Sequence, residues 1–269
     1  NMAVGIHLIT GGFPPGQPAG HDMVFVRKRL LAMIDEHQPA RATTADDFTD
    51  VDDYLADAKL LLTYVAGPFP NDSENAAINR WLEQGGRWLG LHGTSGGKAA
   101  RIEGRRQRTM VRTPHHDTLG AFFLNHPPIR RFRVDVANPE HPLMQGLPES
   151  FEVDDELYLI EPRGNIDVLL TTELPEDPSP PGFGFAYEQD TSLCADGKTR
   201  VLGLTREVGD GSVAYVALGH CHCADSNSQP FVDDSVVPGG DTPTTFRGVW
   251  ETEPFERLLH NAIEWGVGG

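Results

Sequence analysis

The chain has 269 residues, a net charge of −17, 39% hydrophobic residues and 23% charged residues. So acidic a balance excludes nucleic acid and anionic membrane surfaces as expected partners, because both select basic faces. No apolar run approaches the roughly 20 residues of a membrane-spanning helix, no signal peptide is read at Val4–Thr10, and three cysteines are too few for a disulfide framework, so a cytoplasmic protein is expected.

Asn1 ahead of Met2 reads as a leftover of tag removal, which leaves one expected domain over residues 2–269. Val4 to Thr10 reads as a first strand, followed by a Gly- and Pro-rich loop. Asp22 then opens a helix with Met23, Val26, Leu30 and Ile34 on one face. A weak strand near Arg41–Thr44 and a short helix over Val51–Ala58 precede a buried strand at Leu60–Val65. Asn71 and Glu74 have capping-box spacing at the head of a helix that ends at Gly85-Gly86. Trp88 to Leu91 is the next apolar strand, and it stops abruptly at His92. This alternation predicts a parallel, doubly wound α/β sheet with helices on both faces.

Beyond His92 the pattern changes. Lys98, Arg101, Arg105, Arg106, Arg108 and Arg112 form a basic stretch, read as a solvated or intersubunit face, with an anion site as the sharper alternative. Arg131–Val136 alternates as a half-exposed strand would, and Ile166–Thr172 is a further strand. Arg200–Arg206 and Ser212–Leu218 form an added antiparallel hairpin through Gly209-Asp210-Gly211. Pro254 starts a last helix whose stripe of Phe255, Leu258, Leu259 and Ile263 is expected to pack on the sheet.

A strand that ends at a polar residue before glycines has the form of an elbow, which exposes one side chain above a sheet. His92 is therefore the leading catalytic candidate. Glu156, within Asp154-Asp155-Glu156, and His220, at the end of its strand, are expected to join it, since a carboxylate beside a histidine sets its tautomer and raises its pKa. His220 and His222 are two apart, with His115, His116 and His126 elsewhere, but no HExxH or paired CxxC spacing is present. No metal ligands and no cofactor are expected, and a metal-dependent hydrolase is an alternative. Cys221 and Cys223 read as small buried residues.

The stretch Gly85–His92 is followed in order by Asn125-His126-Pro127, His141–Pro148, Asp155-Glu156-Leu157-Tyr158, the segment from Gly211 to His220, and Asn261–Trp265. This succession resembles the ThuA-like, trehalose-utilisation family over nearly the whole chain. The resemblance implies a flavodoxin-like fold related to class I glutamine amidotransferases, and a role in sugar use. Those amidotransferases carry cysteine at the elbow, where this chain has His92, so glutaminase chemistry is not expected to carry over. The expected function is acid–base chemistry on a disaccharide or oxidised (keto) sugar, with a non-catalytic sugar-binding or assembly protein as the rival. His92, Glu156 and His220 are the expected catalytic residues, and Asp155, His126, Gly93 and Thr94 the expected substrate contacts. Assembly into a homo-oligomer is left open.

Overall fold

In a computed structural model, residues 3–268 are described, so both ends of the expected domain, Met2 and Gly269, lie outside the described residues. The first half follows the expected alternation: β1 (Val4–Gly12), α1 (Met23–Asp35), β2 (Ala40–Ala45), α2 (Val51–Leu55), β3 (Ala58–Ala66), α3 (Asp72–Glu83) and β4 (Arg87–Leu91). Local chemistry fixes the helix starts. The Asp22 side chain accepts from the Phe25 N–H at 3.1 Å. Asn71 and Glu74 make the reciprocal capping box, at 2.8 and 2.9 Å. The second helix stops at Leu55, short of Ala58, because Ala58 already pairs in β3.

The second half is β5 (Ala99–Arg101), β6 (Arg108–Met110), α4 (Pro114–Leu119), β7 (Ala121–Asn125), β8 (Arg130–Val136), β9 (Ser150–Asp155), β10 (Leu159–Pro162), β11 (Asp167–Glu173), β12 (Thr199–Val208), β13 (Gly211–Val216) and α5 (Glu253–Gly268). A nine-stranded sheet has the order β2-β1-β3-β4-β13-β12-β11-β8-β9. Strands β2, β1, β3, β4 and β13 run parallel. From β13 outward every pairing is antiparallel. The expected hairpin, β12–β13, is thus the root of a larger antiparallel extension.

The chain steps outward from β1 to β2, then back across β1 to β3 and on to β4. With right-handed crossovers, these opposite directions place the connecting helices on opposite faces. Accordingly His37, in the turn after α1, meets His260 of α5, while α2 packs on α3 and α3 on α4. Leu258, Leu259 and Ile263 of α5 are fully buried, and α5 packs on β1, β3 and β4, as its stripe required.

Two features go beyond the sequence reading. The basic stretch forms the small hairpin β5–β6, with Arg101, Arg105, Arg106 and Arg108 exposed to solvent. The run Phe151–Ile160 is broken in two, since β9 belongs to the large sheet and β10 pairs with β7 in a separate one. The break leaves Glu156 at the junction between sheets. No helix among the described residues is long and apolar enough to cross a membrane.

Candidate active site

The carboxyl ends of parallel strands form the edge where open α/β sheets bind ligands. At that edge β4 ends in a 3₁₀ turn over His92–Ser95. His92 sits at φ 46°, a left-handed conformation uncommon outside glycine, so the elbow geometry is real. The following Gly93 is required by close approach, as a Cβ there would lie 2.4 Å from the Val65 carbonyl oxygen. The Tyr215 hydroxyl donates to the His92 carbonyl at 2.6 Å and fixes the turn from the neighbouring strand.

Glu156 is the centre of the site. It is 3% exposed, and its two oxygens face different groups. Oε1 lies 3.1 Å from His92 Nε2, 2.8 Å from His220 Nδ1 and 3.9 Å from His21 Nε2. Oε2 lies 2.7 Å from His126 Nε2 and accepts from the Gln229 amide at 2.8 Å. The His220 contact is short but off the line of a hydrogen bond, which leaves Nδ1 without an aligned partner. Burial favours a neutral Glu156, yet the facing His126 and His220 rings outweigh it and hold the carboxyl well below its usual range. Burial likewise pulls His126 down, but Glu156 overcomes this and raises it above an ordinary histidine. Burial lowers His21 to about 3, and it lowers His220 as well.

Glu156, His21, His126 and His220 open on a cavity of about 500 Å³, whose walls include Phe183 and Phe185. Gly93 also lines it. The three expected catalytic residues therefore meet, although they come from distant parts of the chain. One correction concerns His92. It is fully buried, stacks on Tyr158 at 4.1 Å between ring centroids, and lies behind Glu156 rather than in the cavity wall.

Two expected substrate contacts are also corrected. Asp155 is 0% exposed, and its carboxylate accepts the backbone N–H groups of Glu156, Gly219 and His220 at 2.8–2.9 Å. Burial pushes this carboxyl up to about 7. Every one of the three partners is nevertheless an N–H, and an ionised carboxylate accepts all three more strongly than a protonated one. The Gly219 carbonyl in turn accepts from the Tyr64 hydroxyl at 2.7 Å and the Trp250 indole at 2.9 Å. Asp155 thus clamps the loop that carries His220. Thr94 is buried too, with its hydroxyl bonded to the Leu91 carbonyl at 2.8 Å and near Thr63 at 3.1 Å. Trp88 and Trp250 are buried in the core, so neither offers an aromatic platform to a bound sugar.

His21 and Gln229 escaped the sequence reading. His21 ends the loop after β1, and a parallel β1 ends at the same edge as β4, so chain topology was the available signal. Gln229 lies in the long loop after β13 and had none. His21, His92, His220 and Glu156 each offer one ligand atom, all within 4.8 Å of one another, so this set has the donors for a cation that the sequence spacing did not suggest.

Three comparisons bear on identity. The family model for ThuA, described as trehalose utilisation, matches residues 17–233. The fold is similar to that of a ThuA-like protein from Bacteroides uniformis, with TM-score 0.60 and 16% identity over 98% of this chain and 91% of that one. It is also similar to a ThuA-like protein from Parabacteroides merdae, with TM-score 0.57 and 15% identity over 99% and 90%. A β-galactosidase from Rahnella sp. R3 shares the fold over 79% of this chain but 28% of its own, at TM-score 0.52 and 14% identity. No curated protein matches.

Proposed function

Because the chain belongs to the ThuA family, whose model spans most of its length, we propose that it is a carbohydrate-modifying enzyme acting by acid–base chemistry on a disaccharide or keto sugar. The observation that carries this reading is the buried Glu156 carboxylate at the cavity floor, with Oε2 paired to His126 Nε2 at 2.7 Å. His126 Nδ1 is 2.7 Å from the Pro127 carbonyl, so Nδ1 carries a hydrogen and Nε2 is the nitrogen that exchanges a proton with Glu156. A sugar in the cavity meets this pair directly. The pair would take a proton from the carbon beside a sugar carbonyl, or give one to a leaving hydroxyl. His92 Nε2 and His220 Nδ1 face its other oxygen at 3.1 and 2.8 Å.

The parallel strand order β2-β1-β3-β4-β13 supports describing this half as flavodoxin-like. Free thiols at Cys194, Cys221 and Cys223 favour a reducing, cytoplasmic setting. The reading takes a small sugar as the partner, with no nucleic acid or membrane, and leaves room for a homo-oligomer.

The test is a panel of trehalose, other disaccharides and their 3-keto forms, read by thermal shift and by NMR of the sugar. A saturable rise in melting temperature with one member, and a change in its sugar signals that is lost in His126→Ala, would support the reading. No shift and no product with any member would overturn it.

A further inference from the structure

We propose that His21 Nε2, His92 Nε2, His220 Nδ1 and Glu156 Oε1 form a site for one divalent transition-metal cation of zinc-like ligand preference. The carbonyls behind each ring decide which of its nitrogens holds the hydrogen. A backbone carbonyl only accepts, so the ring nitrogen that faces one must be the N–H. His92 Nδ1 is 2.7 Å from the Ala217 carbonyl, and His21 Nδ1 is 3.0 Å from that of Ala19. With its one hydrogen on Nδ1, each ring presents Nε2 as a lone pair toward Glu156 Oε1, at 3.1 Å for His92 and 3.9 Å for His21.

His220 reaches the same state through a relay. His222 Nε2 is 2.8 Å from the Pro243 carbonyl and so carries the hydrogen, which leaves His222 Nδ1 as an acceptor. His220 Nε2 donates to it at 2.8 Å, and His220 Nδ1 is bare. Three imidazole lone pairs and one carboxylate oxygen then converge within 4.8 Å in a buried site. His21 Nε2 and His220 Nδ1 have no aligned hydrogen-bond partner at all. Buried polar atoms are ordinarily satisfied. A single bridging proton would satisfy one nitrogen and leave two facing the carboxylate lone pairs. A cation satisfies all four atoms together.

The metrics and the chemistry agree. Tetrahedral ligands about 2.0–2.1 Å from a metal stand roughly 3.3–3.4 Å apart, and the separations from Oε1 to the three nitrogens, 2.8, 3.1 and 3.9 Å, bracket that value. Three imidazoles and one carboxylate favour zinc, cobalt or iron over magnesium and calcium, which take oxygen ligands. Each donor is oriented from behind, as metal-ligating histidines are: by Ala217, by Ala19, by the His222–Pro243 relay, and for Glu156 by His126 and Gln229 on Oε2. His21, His220 and Glu156 also line the cavity, so a substrate oxygen has access to a further position on the cation.

The inference stands on this geometry and not on the sugar reading. Under that reading the cation holds Oε1 and a sugar oxygen, and the Oε2–His126 pair remains the proton-moving unit.

The experiment is calorimetric titration of the chelator-treated protein with zinc, cobalt and magnesium chlorides, without sugar, alongside the visible spectrum of the cobalt form. One equivalent of zinc and of cobalt should bind, with the strong absorption of a low-coordinate cobalt centre and no saturable magnesium binding. His21→Ala, in a surface-side loop, should weaken zinc binding by more than the roughly 10–100-fold expected of an outer partner such as His222→Gln. Circular dichroism of each variant separates loss of ligand from loss of fold. The His37–His260 pair near Glu36 is an alternative zinc trap outside the site, so the titration is repeated in His37→Ala. Absence of binding, or binding that survives His21→Ala and His92→Ala but disappears in His37→Ala, would overturn the proposal. Zinc binding together with failure of the whole sugar panel would retain the site and remove the sugar reading.

Discussion

Asp155→Asn tests whether Asp155 builds the site rather than touching its ligand. The carboxylate receives Glu156 N–H and His220 N–H on Oδ1, and Gly219 N–H on Oδ2. An asparagine retains one accepting oxygen. If that oxygen keeps the two donors on its side, the amide NH₂ must face the Gly219 N–H, donor against donor. Gly219 is fully buried and water cannot substitute. An unpaired buried donor costs about 1–3 kcal/mol and a bond to a charged acceptor contributes about 1.5–3 kcal/mol, so the substitution should cost about 2.5–6 kcal/mol in total. Urea unfolding measures it, as a lowered midpoint at unchanged slope. Because the same bonds fix the backbone of His220, ligand binding should weaken along with stability. A stability change within about 0.5 kcal/mol, the range of ordinary surface substitutions, would refute the clamp and return Asp155 to the role of a substrate contact.

Other outcomes follow from the same structure. Leu259, fully buried under the sheet, should cost about 2–5 kcal/mol when cut to alanine; a loss of only a few tenths in chemical unfolding would mean α5 is peripheral. His115 is buried against Phe69, and burial lowers it to about 3. A depressed histidine contributes stability that is complete above about pH 6.5 and lost as pH falls toward 3, so its share of the loss between pH 7 and pH 5 is about 2 kcal/mol. His115→Gln should flatten the stability profile in that window, and parallel wild-type and variant profiles would contradict the assignment. Finally, no ammonia should be released from glutamine. The elbow holds His92, burial pushes the Cys221 thiol up to about 12, and Cys223 Sγ lies 3.5 Å from the Ser226 hydroxyl. Turnover abolished by alkylation would place a thiol chemistry on the loop after β13.

Local pattern was enough to define the parallel half of this protein. The capping atoms of Asp22 and of the Asn71–Glu74 pair, the apolar strands at Leu60–Val65 and Trp88–Leu91, and the stripe of α5 act within a few residues, and each leaves its mark in the sequence. The elbow at His92 was legible for the same reason: a strand, a polar residue and glycines are contiguous. Glu156 and His220 were named from short polar segments beside apolar ones, and from the order of motifs.

Tertiary structure decided the rest. Phe151–Ile160 shows in sequence only three acids set between apolar residues, yet the chain changes sheets there. The cause is remote: Asp155 captures the backbone of Gly219 and His220, and the displaced Glu156 turns inward. His21 joined the site only because a parallel β1 ends at the same edge as β4 and β13. His126 arrived just after β7, a strand of the separate small sheet. Ring tautomers depend on which carbonyl each histidine meets, and those carbonyls, at Ala19, Ala217 and Pro243, come from backbone whose position no side-chain pattern records. Sequence thus marked most of the residues that could carry chemistry and the strands and helices of the parallel half. Only packing between distant segments determined which reactive atoms face one another, because that depends on backbone paths joined over separations no local signal spans.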